Sequence, residues 1–207
     1  SFKGWKIYGR EDNRIDGWVI EDEALKFTRD VSFAGMVWNH INPFTEGALE
    51  LLTEKKFRNF ELRIDWKVTP GANSGIFYAV PNEETFPAWS YGLEMQVLDD
   101  EGHRDGRSPL TSAGSNYGLH GAPRGVVHGA NEWNSARILV DGNHVEHWLN
   151  GTKVVEYELR SDEWTELVEN SKFGAWPAYG QADRGHIGLQ EHGDRVWYRN
   201  IKLRELR

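Results

Sequence analysis

One segment, Phe60–Val68, alternates without a break. Phe60, Leu62, Ile64, Trp66 and Val68 share one parity, and Glu61, Arg63, Asp65 and Lys67 the other. Successive side chains of a strand point to opposite faces, so this pattern demands a half-buried strand with a second layer over its apolar side. Tyr91–Leu98 repeats it, with Tyr91, Leu93, Met95 and Val97 on one side and Gly92, Glu94, Gln96 and Leu98 on the other. Turn chemistry punctuates the strands. Asp22-Glu23 separates Gly17–Glu21 from Ala24–Thr28, Asp141-Gly142-Asn143 separates Arg137–Val140 from His144–Leu149, and Asn150-Gly151 leads into Lys153–Leu159. Asp-Gly and Asn-Gly supply the positive φ that tight hairpins need. Leu49–Leu52, Gly75–Val80, His186–Gln190 and Val196–Leu203 complete the expected strands.

One helix is expected. Ser161 is a good N-cap, Asp162 and Glu163 suit the positive end of the dipole, and Trp164, Leu167 and Val168 recur at helical spacing up to a stop at Gly174. The stretch 99–125 is long and irregular, as binding loops often are. No repeat or linker divides the chain, so residues 1–207 read as a single all-β domain of two antiparallel sheets.

Composition narrows the function. The net charge of −8 opposes nucleic-acid binding, which needs a basic patch. The chain has no cysteine, which excludes disulfides, thiolate metal sites and a Cys nucleophile. No apolar run approaches the ~20 residues of a membrane span. With 10 tryptophans among 207 residues, aromatic surface for stacking on a ligand is plentiful.

The chemistry-bearing residues gather at a few strands. Glu94 and Gln96 share a face, where a carboxylate can act as acid, base or hydrogen-bond anchor. Glu146 and His147 are adjacent and so lie on opposite faces. Val145 and Leu149 share the parity of His147, which places its ring inside the protein or in a pocket reached from within. Gln190, His192 and Asp194 share a parity after Gly188, so His192 is either an imidazole oriented by Asp194 or part of ordinary turn chemistry at Gly193-Asp194. His103 and His120 lie in the long loop. No spacing matches a zinc signature such as H-E-x-x-H, although a metal site can be assembled from distant strands.

Several segments in order resemble one family. They are WVIEDEALKF (18–27), FELRIDWKVTPGANSGIFY (60–78), YGLEMQVLDDEGH (91–103), the loop to HGAPRG (113–125), EWNSARILVDGNHVEHWLNGTKVVEYE (132–158) and GHIGLQEHGDRVWYRNIKLREL (185–206). The sequence is similar to the 3-keto-disaccharide hydrolase domain family. The resemblance implies a concanavalin A-like jelly-roll β-sandwich, export from a bacterial cytoplasm with any signal or lipid anchor removed before Ser1, and action on sugars oxidised at C3. By position it points to Asn73, Glu94, Gln96, His147, Asn150, Gln190 and His192.

A C3 ketone acidifies the hydrogen on C2. Its removal gives an enolate that expels the anomeric substituent, and water then adds back. Glu94 or His192 is the expected base, and His147 the acid or an orienting partner. Lys67, Asn73, Gln96 and Gln190 are the expected donors toward substrate, and Trp89 and Trp176 the expected stacking platforms. No cofactor is required, and a divalent cation is the alternative holder of the enolate. The expected partner is an oligosaccharide or glycoside, with no expectation about oligomeric state. Two rival readings use the same residues. One is a lectin-like domain that binds without reacting. The other is a laminarinase-like glycosidase built on Glu94 and Asp99, which Gln96 opposes by standing where an assisting carboxylate belongs.

Overall fold

The computed structural model describes residues 1–10, 14–28, 49–81 and 86–207. Its strands in chain order are β1 (Trp5–Ile7), β2 (Trp18–Glu21), β3 (Ala24–Phe27), β4 (Leu51–Thr53), β5 (Phe60–Val68), β6 (Asn73–Val80), β7 (Leu93–Leu98), β8 (Asn134–Asp141), β9 (His144–Leu149), β10 (Thr152–Glu158), β11 (His186–Leu189) and β12 (Val196–Glu205). They form a seven-stranded sheet in the order β10-β9-β8-β5-β12-β3-β2 and a five-stranded sheet in the order β1-β4-β11-β6-β7. Every pairing among them is antiparallel. This is a jelly-roll β-sandwich, as expected.

The alternating strand β5 behaves as its pattern demands. Phe60, Leu62, Ile64, Trp66 and Val68 are all buried against the other sheet. On the outward face, Glu61 is held by Arg63, Arg137 and Arg204 at 2.7, 3.1 and 2.5 Å. The inward faces also meet through hydroxyls, with Ser74 Oγ 2.8 Å from the Tyr198 hydroxyl.

Among the described residues the only α-helix is α1 (Asp162–Glu169). Ser161 Oγ caps it by accepting the Trp164 N–H at 3.1 Å. It ends at Asn170 rather than running to Gly174, and a separate 3-10 turn covers Lys172–Ala175. The loop after β7 clasps that strand's free edge. Gln96 N–H donates to Ser115 O at 3.1 Å, Gly114 N–H to Gln96 O at 2.9 Å, and Tyr117 N–H to Glu94 O at 3.0 Å. The loop therefore satisfies backbone groups that an edge strand would otherwise expose.

Candidate active site

Strand register places the polar residues on the outer face of the five-stranded sheet. Leu52 pairs with Gly188, Gly188 with Phe77, and Phe77 with Glu94. The Tyr117–Glu94 hydrogen bond extends this row to the loop. The next row follows from the same ladders. Gly75 pairs with Gln96, Gln190 donates its N–H to Gly75 O at 2.9 Å, and Glu50 lies one step beyond the Leu51–Leu189 pair. Opposed residues of an antiparallel ladder share a face. Leu52 and Phe77 thus make an apolar floor, flanked by Glu94 on one side and by Glu50 and Gln190 on the other.

Two glycines keep this face open. A side chain on Gly188 would meet Leu52 Cδ2 at 2.6 Å, and one on Gly75 would meet Glu94 Oε1 at 2.2 Å. The Glu94 carboxyl therefore lies across the bare backbone of Gly75. The motif N-S-G-I-F needs its glycine for that reason, since Gly75 does not have positive φ.

Glu94 is buried, at 7% exposure, and burial lifts its carboxyl to about 8. The Lys172 ammonium pulls it back down, while Asp105 pushes it further up. Desolvation lowers Lys172 in turn, and Glu94 and Asp105 oppose that. The Lys172 Nζ lies 4.3 Å from the Tyr117 ring centre and 5.7 Å from that of Trp89. The Tyr117 hydroxyl donates to Asp105 Oδ2 at 3.1 Å. Trp89 meets Trp176 edge-on at 5.3 Å, and Phe86 meets Trp176 at 5.1 Å, which builds an aromatic wall beside Lys172.

His192 is exposed just beyond β11. Its surroundings lower its affinity for a proton through desolvation, Asp194 raises it, and His103 lowers it. The Asp105 charge favours the protonated form of both His192 and Glu94. Asp194 itself accepts the Asn73 N–H at 3.0 Å and ties the start of β6 to the last turn.

The other expected site residues divide. Asn73 and Gln190 stand on this face, each with a buried side-chain oxygen that has no partner. Gln96 is there too, but both its polar atoms are engaged, Nε2 with Thr111 O at 3.3 Å and Oε1 with its neighbour Val97 N–H at 3.1 Å. It secures the loop beside Glu94 rather than offering a free donor. Asn150 lies outside this face and holds backbone of another turn, its Oδ1 accepting Ser135 N–H at 2.9 Å and its Nδ2 donating to Val126 O at 2.8 Å.

Two expectations are corrected. His147 belongs to the interior, on the opposite sheet, with no exposed surface. A carbonyl can only accept, so Nδ1–H donates to Gly114 O at 3.1 Å and Nε2 accepts from the Tyr78 hydroxyl at 2.8 Å. Tyr78 in turn accepts from the Tyr157 hydroxyl at 2.7 Å. Burial lowers His147 to about 4, and the ring has no surface open to the outer face. It is a core anchor for the loop, not an acid. Lys67 is the second correction. Its parity on β5 sends it to the outside of the seven-stranded sheet, where Nζ sits 4.7 Å from the Trp197 ring and 5.0 Å from the Trp133 ring. The laminarinase-like pair fails on parity as well. Asp99 lies an odd number of residues from Glu94, is buried, and accepts the Gly71 N–H at 2.7 Å.

The sequence reading missed Glu50, Asp105, Tyr117 and Lys172. Glu50 and Lys172 sit beside short apolar runs with no motif of their own, and only the sheet register and the turn after α1 bring them to Glu94's face. Another small cavity, lined by Phe57, Tyr78, Ala79, Leu159, Arg160 and Asp183, lies away from this face. Its Arg160 and Asp183 already pair, at 3.4 Å. Among the described residues no helix is long and apolar enough to cross a membrane.

Comparison with known proteins places the chain in a family. The profile of the 3-keto-alpha-glucoside-1,2-lyase-like domain matches residues 1–204. A Bacteroides thetaiotaomicron protein named 3-keto-disaccharide hydrolase is 35% identical over 228 aligned positions, spanning 100% of this chain and 76% of that protein. The crystal structure of a putative glycosyl hydrolase from Parabacteroides distasonis superposes with a TM-score of 0.82 at 28% identity, covering 100% of this chain and 90% of that one. The carbohydrate-binding module CBM66 of Bacillus subtilis shares the fold alone, with a TM-score of 0.58 at 11% identity over 98% of this chain and 96% of that one. The chain belongs to the 3-keto-alpha-glucoside-1,2-lyase-like domain family, and its relatives support a role as a glycoside hydrolase.

Proposed function

We propose that this member of the family cleaves the glycosidic bond of 3-keto-glycosides by elimination and rehydration, on the outer face of the five-stranded sheet. The observation that carries the reading is the Glu94 carboxyl, laid over Gly75 beside Lys172 and lifted to about 8 by burial. A carboxylate of that basicity suits removal of a carbon-bound proton far better than an ordinary one, since catalytic efficiency follows the base's own pKa.

In this reading Glu94 takes the C2 proton. The electron pair moves into the C2–C3 bond and onto the C3 oxygen, giving an enolate. Lys172 faces that developing charge, and stabilisation of this kind is usually the largest catalytic contribution. The enolate re-forms the ketone, the C1–C2 double bond forms, and the C1–oxygen bond breaks. The leaving oxygen takes a proton from solvent at the open rim, since His192, with its proton affinity lowered, is neutral where Glu94 is a carboxylate. Water then adds across C1–C2 and returns a hydrogen to C2. Asn73 and Gln190 accept from sugar hydroxyls, and Trp89 and Trp176 stack on the ring faces. No paired carboxylates are needed, which agrees with Gln96 and with the position of Asp99. We place the protein outside the cytoplasm, in keeping with the resemblance.

Turnover of a 3-keto-glucoside in deuterated water tests the route. Deuterium should enter C2 of the released 3-keto sugar, and Glu94→Gln should abolish both release and incorporation. A base that returns the same proton hides incorporation, so release without incorporation refutes elimination only together with the absence of a primary isotope effect from a C2-deuterated substrate, and a fully active Glu94→Gln would remove Glu94 as the base. The aromatic wall favours one other reading, a lectin-like binding domain. That reading requires glycan binding lost in Trp89→Ala with no release from any native or 3-keto glycoside.

A further inference from the structure

Lys172 carries its charge beside two carboxyls yet is tied to neither. Among the described residues its ammonium makes no ion pair and no hydrogen bond, and Glu94 and Asp105 act on it only through space. Aromatic rings surround it instead. Nζ stands 4.3 Å from the ring centre of Tyr117, 5.0 Å from that of Phe173 and 5.7 Å from that of Trp89. All three fall within the ~6 Å over which a ring face attracts a cation. The rings are themselves fixed. The Tyr117 hydroxyl donates to Asp105 Oδ2 at 3.1 Å, and the Tyr117 N–H to Glu94 O at 3.0 Å. Phe173 is buried and stacks on Tyr179 at 4.1 Å with the planes 13° apart, and Tyr179 lies parallel to Trp164. Ser171 Oγ accepts the Phe173 N–H at 3.0 Å and caps the 3-10 turn that carries Lys172.

We propose that Tyr117 and Phe173 are positioning residues whose ring faces keep the Lys172 ammonium beside Glu94 but unpaired with it. Trp89 closes the third side of this cage. An ammonium on a flexible four-carbon stem is drawn to a nearby carboxylate, and more strongly where water is scarce. Such a pair would spend both groups. It would lower the proton affinity of the carboxylate by about 10–1000-fold and occupy the cation. A ring face attracts the ammonium without accepting a full hydrogen bond, so its three N–H donors stay available. The state of Glu94 agrees, because burial outweighs the pull of Lys172 on its carboxyl. The other groups that sense the Glu94 charge are the hydroxyls of Tyr117, Tyr179 and Tyr198, which burial keeps protonated. The use of the cage rests on the reaction proposed above: Glu94 stays basic enough to take the C2 proton while Lys172 stays free for the C3 oxygen.

The test is nuclear magnetic resonance of the full chain, read without turnover. The Lys172 ε-methylene protons, assigned by their loss in Lys172→Met, should be shifted upfield in wild type by the currents of the surrounding rings. Tyr117→Leu should remove most of that shift, and Tyr117→Phe, which keeps the ring, should restore it. The Glu94 carboxyl, assigned by its loss in Glu94→Gln, should lose at least ~10-fold of its proton affinity in Tyr117→Leu, as the released ammonium pairs with it. In a Lys172→Met background the same substitution should change that affinity less than about twofold, because the ring acts through the lysine. An equal fall in both backgrounds would overturn the proposal and assign the ring to keeping water from Glu94. Wild-type ε-methylene protons at their ordinary position would overturn it too, and that measurement decides alone where Tyr117→Leu does not fold. Turnover distinguishes the cage from the reaction. With a 3-keto-glucoside, Tyr117→Leu should lower kcat at least ~10-fold and leave KM within about threefold. An unchanged kcat beside the expected spectra would uphold the cage and sink only the part given to Lys172 in the reaction.

Discussion

Gly75→Ala separates the geometry of the site from the stability of the sheet. An alanine Cβ at that position would stand 2.2 Å from Glu94 Oε1, 2.9 Å from Cδ and 3.0 Å from Cγ. An ordinary carbon–oxygen contact is longer than the first of these by about 1 Å, so the carboxyl must retreat by roughly that much. Misplacing a reacting group by ~1 Å costs on the order of 100-fold, which is about 2.7 kcal/mol of barrier. Stability should move little. The φ of Gly75 is not positive, so alanine adopts the backbone without strain and gains about 0.5–1 kcal/mol from reduced chain entropy. The obstructing atoms are the end of a flexible side chain, and moving them offsets that gain. The assay is kcat/KM on a 3-keto-glucoside beside thermal melting. The expected result is a loss of about 100-fold with unfolding free energy within ~1 kcal/mol of wild type. Gly188→Ala is the control. Its Cβ meets Leu52 at 2.6 Å and Phe77 at 3.3 Å and does not touch the carboxyl, so it should cost stability and leave the pH profile in place. Activity of Gly75→Ala within threefold of wild type, with an unshifted profile, would refute the placement of Glu94 as the reacting group.

The pH profile supplies a second check. A base lifted to about 8 is protonated at neutral pH, so kcat/KM should rise with pH and level off above about 8. Lys172→Met removes the charge that lowers Glu94, so the rise should move to higher pH as activity falls; an unmoved profile would separate the two groups. His147→Ala should cost about 3 kcal/mol in urea unfolding, because it opens a core cavity and strands the Tyr78 hydroxyl and Gly114 carbonyl. A cost below ~1 kcal/mol would contradict its role as an anchor. His147 is depressed to about 4 when folded, so its contribution is present above the unfolded value near 6.5 and lost as pH falls toward 4. The stability difference between wild type and His147→Ala should therefore shrink over that window, and a constant difference would show that the ring does not titrate this way. Lys67→Ala should leave turnover unchanged, since its ammonium sits between Trp133 and Trp197 on the far sheet, and a tenfold loss would put the substrate on the wrong face.

The fold was legible because a strand writes its two faces into alternate residues. Phe60–Val68 and His144–Leu149 have the bounds their patterns predict, and the Asp-Gly turn joins β8 and β9 as expected. The same parity correctly sent His147 inward and Glu94 and Gln96 to a shared face. It could not say which sheet a strand joins. Lys67 and Glu94 both alternate with core residues, so each is simply outward, yet they are outward from opposite sheets. The start of the chain reads as turns, and Trp5–Ile7 becomes a strand only because β4 offers it an edge. Lys172 follows the helix with no periodic cue, and Glu50 stands before an apolar run too short to have a readable face. Their positions come from pairings between residues far apart in sequence, which local patterns do not encode.

The two outer faces handle charge in opposite ways. On the seven-stranded sheet, buried Glu61 is gripped by three arginines, which with its other contacts hold its carboxyl below the usual range. Desolvation there is answered locally, as a structural ion network should answer it. On the five-stranded sheet, Glu94 and Glu50 are just as buried, yet among the described residues no arginine grips either, and both carboxyls are raised. A fold with arginine to spare for Glu61 does not lack the means to neutralise them. Leaving two carboxyls under-compensated on one open face costs stability, and such costs gather where a ligand, substrate or ion completes the set. Glu94 has a single movable cation in Lys172, which can answer either the carboxylate or a charge forming on a substrate. Among the described residues Glu50 forms no ion pair, and its Oε2 has no hydrogen-bond partner. In the proposed reaction that desolvation is what gives Glu94 the basicity to remove a carbon-bound proton.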